Sequence, residues 1–198
     1  MATDKLIWKP GNMLYPLPAV MVSCGIYEKP GDEVNCNMLT IAWTGTICSD
    51  PPMVYVSVRP ERFSYDIIKN TGSFVINMPS AGLAAATDSA GVYSGRDMNK
   101  WEKLHLTPEK ADTVSAPLIK ECPVNLECRV TQVLPLGSHD MFIAEITAVR
   151  VRENLLDKNG KLHLESADLI AYSHGQYYEL GEHIGRFGYS VRKEGGKA

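Results

Sequence analysis

The chain has 198 residues, 44% of them hydrophobic and 22% charged, with a net charge of −3 at neutral pH. That length fits one domain with a substantial core, and the balance is that of an ordinary globular protein. No Lys/Arg cluster points to nucleic acid, no apolar run reaches the ~18 residues of a membrane helix, and the N-terminus does not read as a signal peptide, so a cytoplasmic protein is expected.

In chain order, residues 1–18 read as irregular, broken by Pro10, Gly11, Pro16 and Pro18. Ala19–Tyr27 reads as a strand, followed by a Pro-Gly-Asp turn. Asn37–Ser49 is apolar and β-branched around Trp43, and reads as one strand. It stops at Pro51-Pro52, where neither ring nitrogen can donate to a ladder. Met53–Pro60 is a second strand and 61–70 a short helix. Ser73–Met78 is a strand ended by Pro79. Residues 83–91 and 97–104 look helical, the second with Asp97 as N-cap and Trp101 and Leu104 on one face. Residues 107–120 read as loop.

The clearest hairpin follows. In Val124–Leu134, Val124, Leu126, Cys128 and Val130 alternate with Asn125, Glu127, Arg129 and Thr131. Met141–Val151 is the partner strand, across the turn LGSHD. Residues 157–161 form a turn, 169–190 a Gly- and Tyr-rich structured tail, and 192–198 a frayed end. Period-two alternation with few long helices argues for a closed antiparallel barrel rather than a parallel sheet. One domain over 1–198 is expected.

Several chemistries lack their signatures. Neither G-x-G-x-x-G nor the P-loop pattern occurs, and GVYSG at 91–95 puts its Ser one place late for a nucleophile elbow. The five histidines include no i, i+4 pair and no HExxH, so a hydrolytic metal site is not indicated. The five cysteines form no CxxC and read as small buried hydrophobes. What remains is a strand, a Ser-containing turn, a second strand and a basic helix entry set close together. That grouping suits a flat, phosphorylated ligand.

Four motifs, in order, resemble the flavin reductase-like family with the FMN-binding split β-barrel, its flavoredoxin subgroup in particular. They are NMLTIAW at 37–43 with CSDPP at 48–52, SVRPERFSYDIIKNTGSFVINMP at 57–79, GSHDMFIAEI at 137–146, and YSHGQYYELGEHIGRFGYS at 172–190. The resemblance covers about 15–191. It implies a mainly β fold, an antiparallel Greek-key split β-barrel with a few peripheral helices. It also implies FMN held non-covalently at a homodimer interface.

On that resemblance Asn37, Met38, Leu39, Thr40, Ile41 and Ala42 lie along the flavin ring, with Trp43 either there or in the core. Cys48 and Ser49 begin the ribityl and phosphate contacts. Arg59 and Ser64, with Arg62 and Phe63, form the phosphate end, where a guanidinium fork and helix N–H groups favour an anion. His139 falls on the family's G-D-H turn, on the nicotinamide or substrate side, although Ser138 stands where those enzymes have Asp. His174 is a candidate to reach the flavin across the dimer, while Tyr172, Tyr177 and Tyr178 suit interface packing.

The function implied is a flavoredoxin-type electron carrier that exchanges electrons with a redox partner protein. The alternative is an NAD(P)H:flavin oxidoreductase supplying reduced FMN. From another class come a non-catalytic flavin-binding module and a haem or deazaflavin user. The flavin does the electron chemistry, so no general acid or base is required of the chain.

Overall fold

The computed structural model describes residues 4–191; the end read as frayed, 192–198, lies outside the described residues, as do 1–3. Short strands β1 (Leu17–Pro18) and β2 (Val20–Cys24) lead to β3 (Asn37–Ile41), β4 (Thr44–Ser49) and β5 (Pro52–Val58). Helix α1 (Phe63–Thr71), strand β6 (Ser73–Met78) and helices α2 (Ala84–Val92) and α3 (Lys100–Lys103) follow. Then come the two-residue strands β7 (Pro108–Glu109) and β8 (Leu118–Ile119), the long β9 (Val124–Pro135) and β10 (Asp140–Val151), and a final hairpin of β11 (Ile170–Ser173) and β12 (Gln176–Glu179). Among the described residues no helix is long and apolar enough to cross a membrane.

The main sheet has seven strands in the order β3-β2-β6-β9-β10-β5-β4, and every pairing is antiparallel. Its two edge strands, β3 and β4, are consecutive in the chain. Only Ala42 and Trp43 separate them. Two residues span ~7 Å at most, so the sheet must curl until its edges meet. The stretch 37–49, read as one strand, is therefore two strands with different partners. Closure is incomplete, because β3 pairs with β2 and β4 with β5 but not with each other. The barrel is split where alternation alone suggested a closed one. At the crossing, the Ser57 N–H donates to the Trp43 carbonyl at 2.9 Å, pinning the link to β5.

Curvature is built into the long hairpin. Register shifts leave Thr131 of β9 and Thr147 of β10 as extra, bulged residues. A bulge bends its strand and raises the twist. The hydroxyls of these threonines donate back to the Ile143 and Glu127 carbonyls, each at 3.2 Å.

Inside the barrel, Val22, Leu39, Ile41, Val56, Ile68, Phe74 and Phe142 form one buried cluster. Outside it, Met21 and Met38 pack with Trp101, Leu106 and Ile119 in a second. Trp101 and Leu104 do share one face, but the N-cap is Asn99, whose Oδ1 accepts from the Trp101 N–H at 3.0 Å, rather than Asp97. The segment 107–120 reads as loop, yet it covers the outer face of β6 and β9. On the second face of β9, Asn125 and Glu127 are thus buried, while Arg129 and Thr131 stay exposed. Glu127 is fully buried and accepts from the Asp112 and Thr113 N–H groups and the Thr113 hydroxyl.

Asn77 is the hub of a second buried network. Its amide nitrogen donates to the Met21 carbonyl and Ser23 Oγ, and its Oδ1 accepts from the Ile119 N–H at 2.9 Å and Asn125 Nδ2 at 2.8 Å. One side chain thus ties β2, β6, β8 and β9 together. The expected effect of Asn77→Leu is a loss of about 2–3 kcal/mol in urea unfolding, the cost of leaving buried donors unsatisfied. Full stability in that variant would show the network to be dispensable.

Candidate functional site

Where the seam opens, β3 faces the end of β5 past Val56, the last residue of β5 that pairs with β4, and a groove lies between them. At one end, a cavity of about 540 Å3 is lined by Leu39, Thr40, Ile41, Ala42, Trp43, Arg59, Arg62, His139, Tyr172 and Tyr177, with Asp88 and Gly91 of α2. A second cavity, of about 320 Å3, continues from it through the shared Leu39, Arg59, Arg62 and Gly91. There the walls are Asn37, Phe63, Ser64, Ser94, Gly95, Arg96 and Lys100. Both volumes lie in the range of small-molecule sites.

The first end suits a flat ring. The indole of Trp43 and the imidazole of His139 lie within 3° of parallel, their centroids 6.4 Å apart. Burial, then the Arg59 and Arg62 guanidiniums, push the His139 pKa down against a weaker opposing pull from Glu61. Both effects favour the neutral imidazole. Its Nδ1 sits 2.9 Å from Ser138 Oγ. Tyr172 and Tyr177 meet edge to face at 5.8 Å, and the Tyr177 hydroxyl donates to Asp88 Oδ1 at 3.2 Å. Burial and Asp88 raise the Tyr177 pKa to about 12, so this donor stays protonated.

β3 offers a polar edge to the groove. The Met38 carbonyl points away from the sheet, because it accepts from Lys100 Nζ at 2.7 Å. Antiparallel strands alternate the side on which N–H and C=O point. The Thr40 backbone groups therefore face outward as well, on an edge with no neighbouring strand. The Thr40 hydroxyl donates to the Thr87 carbonyl and docks α2 on that edge.

The second end is cationic. Arg59, Arg62, Arg96 and Lys100 line it, against Glu61 alone among carboxylates. Lys100 is 3% exposed and donates to both the Met38 and Ala90 carbonyls at 2.7 Å. Burial, aided by Arg62, lowers its pKa to about 8. The Ser64 hydroxyl, in the first turn of α1, accepts from Asn37 Nδ2 at 2.8 Å. Arg96 lies over the Phe63 ring and donates to the Glu61 carbonyl at 3.1 Å. The backbone of Gly95 passes so close to Asn37 that an added Cβ would sit 2.4 Å from its Oδ1.

The structure thus brings together Asn37, Leu39, Thr40, Ile41, Ala42, Trp43, Arg59, Arg62, Phe63, Ser64 and His139. Met38 turns the other way, into the cluster with Trp101. Cys48 and Ser49 line neither cavity. They run off with β5 beyond the crossing, to the Asp50–Pro51 turn. His174 sits at the tip of the last hairpin, against Tyr15 and Met13, and lines neither cavity. Sequence reasoning missed Lys100, Arg96, Gly95, Ser94 and Asp88. For Ser94, Gly95 and Arg96 the signal was the GVYSGR run at 91–96, weighed only as a nucleophile elbow; Asp88 and Lys100 fell in stretches read only as helical.

The family model described as "Flavin reductase like domain" matches residues 13–181. An uncharacterised protein of Archaeoglobus fulgidus is 37% identical over 136 residues, 69% of this chain and 73% of that one. The solved flavoredoxin of Desulfovibrio vulgaris (Miyazaki F) superposes with a TM-score of 0.85 at 29% identity, covering 95% of this chain and all of that one. The flavoredoxin of Methanosarcina acetivorans gives 0.84 at 27% identity, covering 96% of this chain and 100% of that one.

Gly95→Ala forces Asn37 or Phe63 to shift, an overpacking cost of about 1–3 kcal/mol. Thermal unfolding reads it, and an unchanged midpoint would refute the close approach.

Proposed function

This chain belongs to the flavin reductase-like family, and we propose that it is an FMN-binding redox protein of the flavoredoxin type, a homodimer acting in the cytoplasm. The observation that carries the reading is the two-ended groove on the barrel seam. Its first end has aromatic walls and the outward backbone edge of Thr40. Its second collects Arg62, Arg96, Lys100 and Ser64. A flavin mononucleotide has the same division, a planar ring with a polar edge at one end and a phosphate at the other.

When bound, the flavin supplies a centre that takes up and passes on electrons or a hydride. The chain binds and orients it. Thr40 backbone groups meet the ring edge, and Trp43 and Tyr172 limit its freedom. Arg62, Arg96 and Lys100 give charge-assisted bonds to the phosphate, with Arg59 at the junction of the two ends. The homodimer is supported by apolar residues at both ends of the chain. Leu6, Ile7 and Trp8 near one end, and Ile184 and Phe187 near the other, are each at least 74% exposed. Apolar surface on that scale marks an interaction site.

The second reading is an NAD(P)H:flavin oxidoreductase. His139, stacked parallel to Trp43 at the ring end and biased toward its neutral form, favours it, since that is where a nicotinamide would approach. Anaerobic absorbance of the protein mixed with FMN and desalted, before and after NADH and then NADPH, separates the two. A carrier retains flavin that neither nucleotide bleaches, and it is reduced through a protein partner. Bleaching by either nucleotide establishes the reductase instead. Flavin that no donor reduces marks a binding module, and no retained flavin overturns the site.

Lys100 makes FMN affinity pH-dependent. Its pKa is lowered to about 8, so its charge is present below that pH and lost above it. The phosphate, with a second pKa of about 6, stays doubly charged across the same range. Affinity therefore falls as pH rises through about 8, by about tenfold for one lost charge-assisted contact. Lys100→Met has weaker binding and a flat profile over that range; an unchanged profile rejects the role.

A further inference from the structure

Three residues of the groove come from three separate elements. Arg59 follows β5, Ser64 lies in the first turn of α1, and His139 closes the turn before β10. Side chains on separate elements keep a fixed spacing only where those elements are tied together. One hydrogen bond stands beside all three: the Tyr65 hydroxyl donates to Asp140 Oδ2 at 2.5 Å. Tyr65 follows Ser64, Asp140 follows His139, and Asp140 is paired in the ladder with Val58, which precedes Arg59. Yet neither Tyr65 nor Asp140 lines either cavity.

Both partners are firmly seated. Tyr65 is 6% exposed, its ring meets Phe142 edge to face at 5.4 Å, and Lys69 Nζ lies 5.5 Å from its centroid. Its N–H donates to the Arg62 carbonyl at 2.9 Å, which joins it to the entry of α1. The bond to Asp140, then burial, raises the Tyr65 pKa, so the hydroxyl keeps its proton. On the other side, the Leu136 N–H donates to the His139 carbonyl at 3.0 Å, which makes the turn before Asp140 a compact unit. Hydrogen bonds to a carboxylate are among the stronger ones.

We propose that Tyr65 and Asp140 are positioning residues that couple the two ends of the groove, so that an anion at Arg62 and Ser64 tightens the grip of Trp43 and His139 on a ring. The inference rests on reading the groove as a flavin site. An anion held at the start of α1 orders that turn. Tyr65, in the same turn, passes the order to Asp140 and so to the His139 imidazole, which lies parallel to Trp43. A ring that arrives second meets a wall already set, and less freedom is lost in seating it. That is positive cooperativity without a large change of shape.

The test separates the ring from the anion. Riboflavin, which carries the ring without the phosphate, is titrated into the full chain with and without inorganic phosphate, and binding is read by flavin fluorescence. Chloride at matched ionic strength is the blank. In the wild type, phosphate is expected to tighten riboflavin binding by about fivefold. Tyr65→Phe removes the donor and Asp140→Ala the acceptor, and each lowers the effect to under about twofold. Asp140→Asn keeps an acceptor and retains the effect. A second readout follows the imidazole proton NMR signal that is missing from His139→Gln. Phosphate alone shifts that signal in the wild type and leaves it in place in Tyr65→Phe. A bond that only steadied the fold would lower the unfolding midpoint of Tyr65→Phe and leave the coupling intact. That result, or no coupling in the wild type, overturns the proposal. If the wild type binds neither riboflavin nor FMN, the reading of the whole groove fails, and that outcome is distinct from the other two.

Discussion

Two residues carry the chain from one edge of a seven-stranded sheet to the other, and much of the architecture follows from that crossing. A flat sheet of this width could not be bridged by Ala42 and Trp43. The sheet therefore curls, and the bulges at Thr131 and Thr147 let the long β9–β10 hairpin follow the curve. The edges approach but do not pair. A seam remains, and the groove lies on it. Fold and groove share one origin, since the link that bends the sheet also delivers Trp43 to the aromatic end of the groove.

Around the seam, buried polar groups do the fastening that apolar packing cannot aim. Asn77 fixes four strands at one point, and Glu127 holds the 107–120 segment against β9. Lys100 joins β3 to the end of α2 by two short bonds to carbonyls. Each lies beside an apolar cluster but makes directional contacts, so each specifies where an element sits as well as that it is buried. No buried side-chain nitrogen or oxygen among the described residues lacks a partner. That is the condition under which such networks organise a structure instead of weakening it.

Much of this was legible in the sequence. The hairpin at 124–151 announced itself because Val124–Thr131 alternates in period two, a second strand-favouring run follows at 141–151, and a Gly-containing turn separates them. Helix α1 and strand β6 fell close to their expected bounds. The division of 37–49 was hidden because Ala42 and Trp43 continue an apolar, strand-favouring run. Local propensity does not register a change of partner. The burial of Asn125 and Glu127 was hidden because their cover comes from a segment without periodicity of its own. Half of the cationic end was invisible for a related reason. Arg59 and Arg62 sit beside a recognisable helix start, whereas Arg96 and Lys100 come from an irregular loop and a four-residue helix. The hairpin turn at His174-Gly175 was also missed. Both residues have positive φ, as tight two-residue turns require, in a stretch that composition alone made look shapeless.

The unpaired outer edge of β3 has one more consequence. Everywhere else in the barrel, a change of width breaks hydrogen bonds between strands. At the seam it breaks none, so the seam is the softest line in the wall, the place where slow opening motions cost least. A planar molecule with donors and acceptors along one side would bond the Thr40 backbone as a neighbouring strand would, and so supply the missing rungs of the ladder. Occupying the groove and stiffening the barrel are then one event. The chain would then gain its last piece of sheet from outside itself.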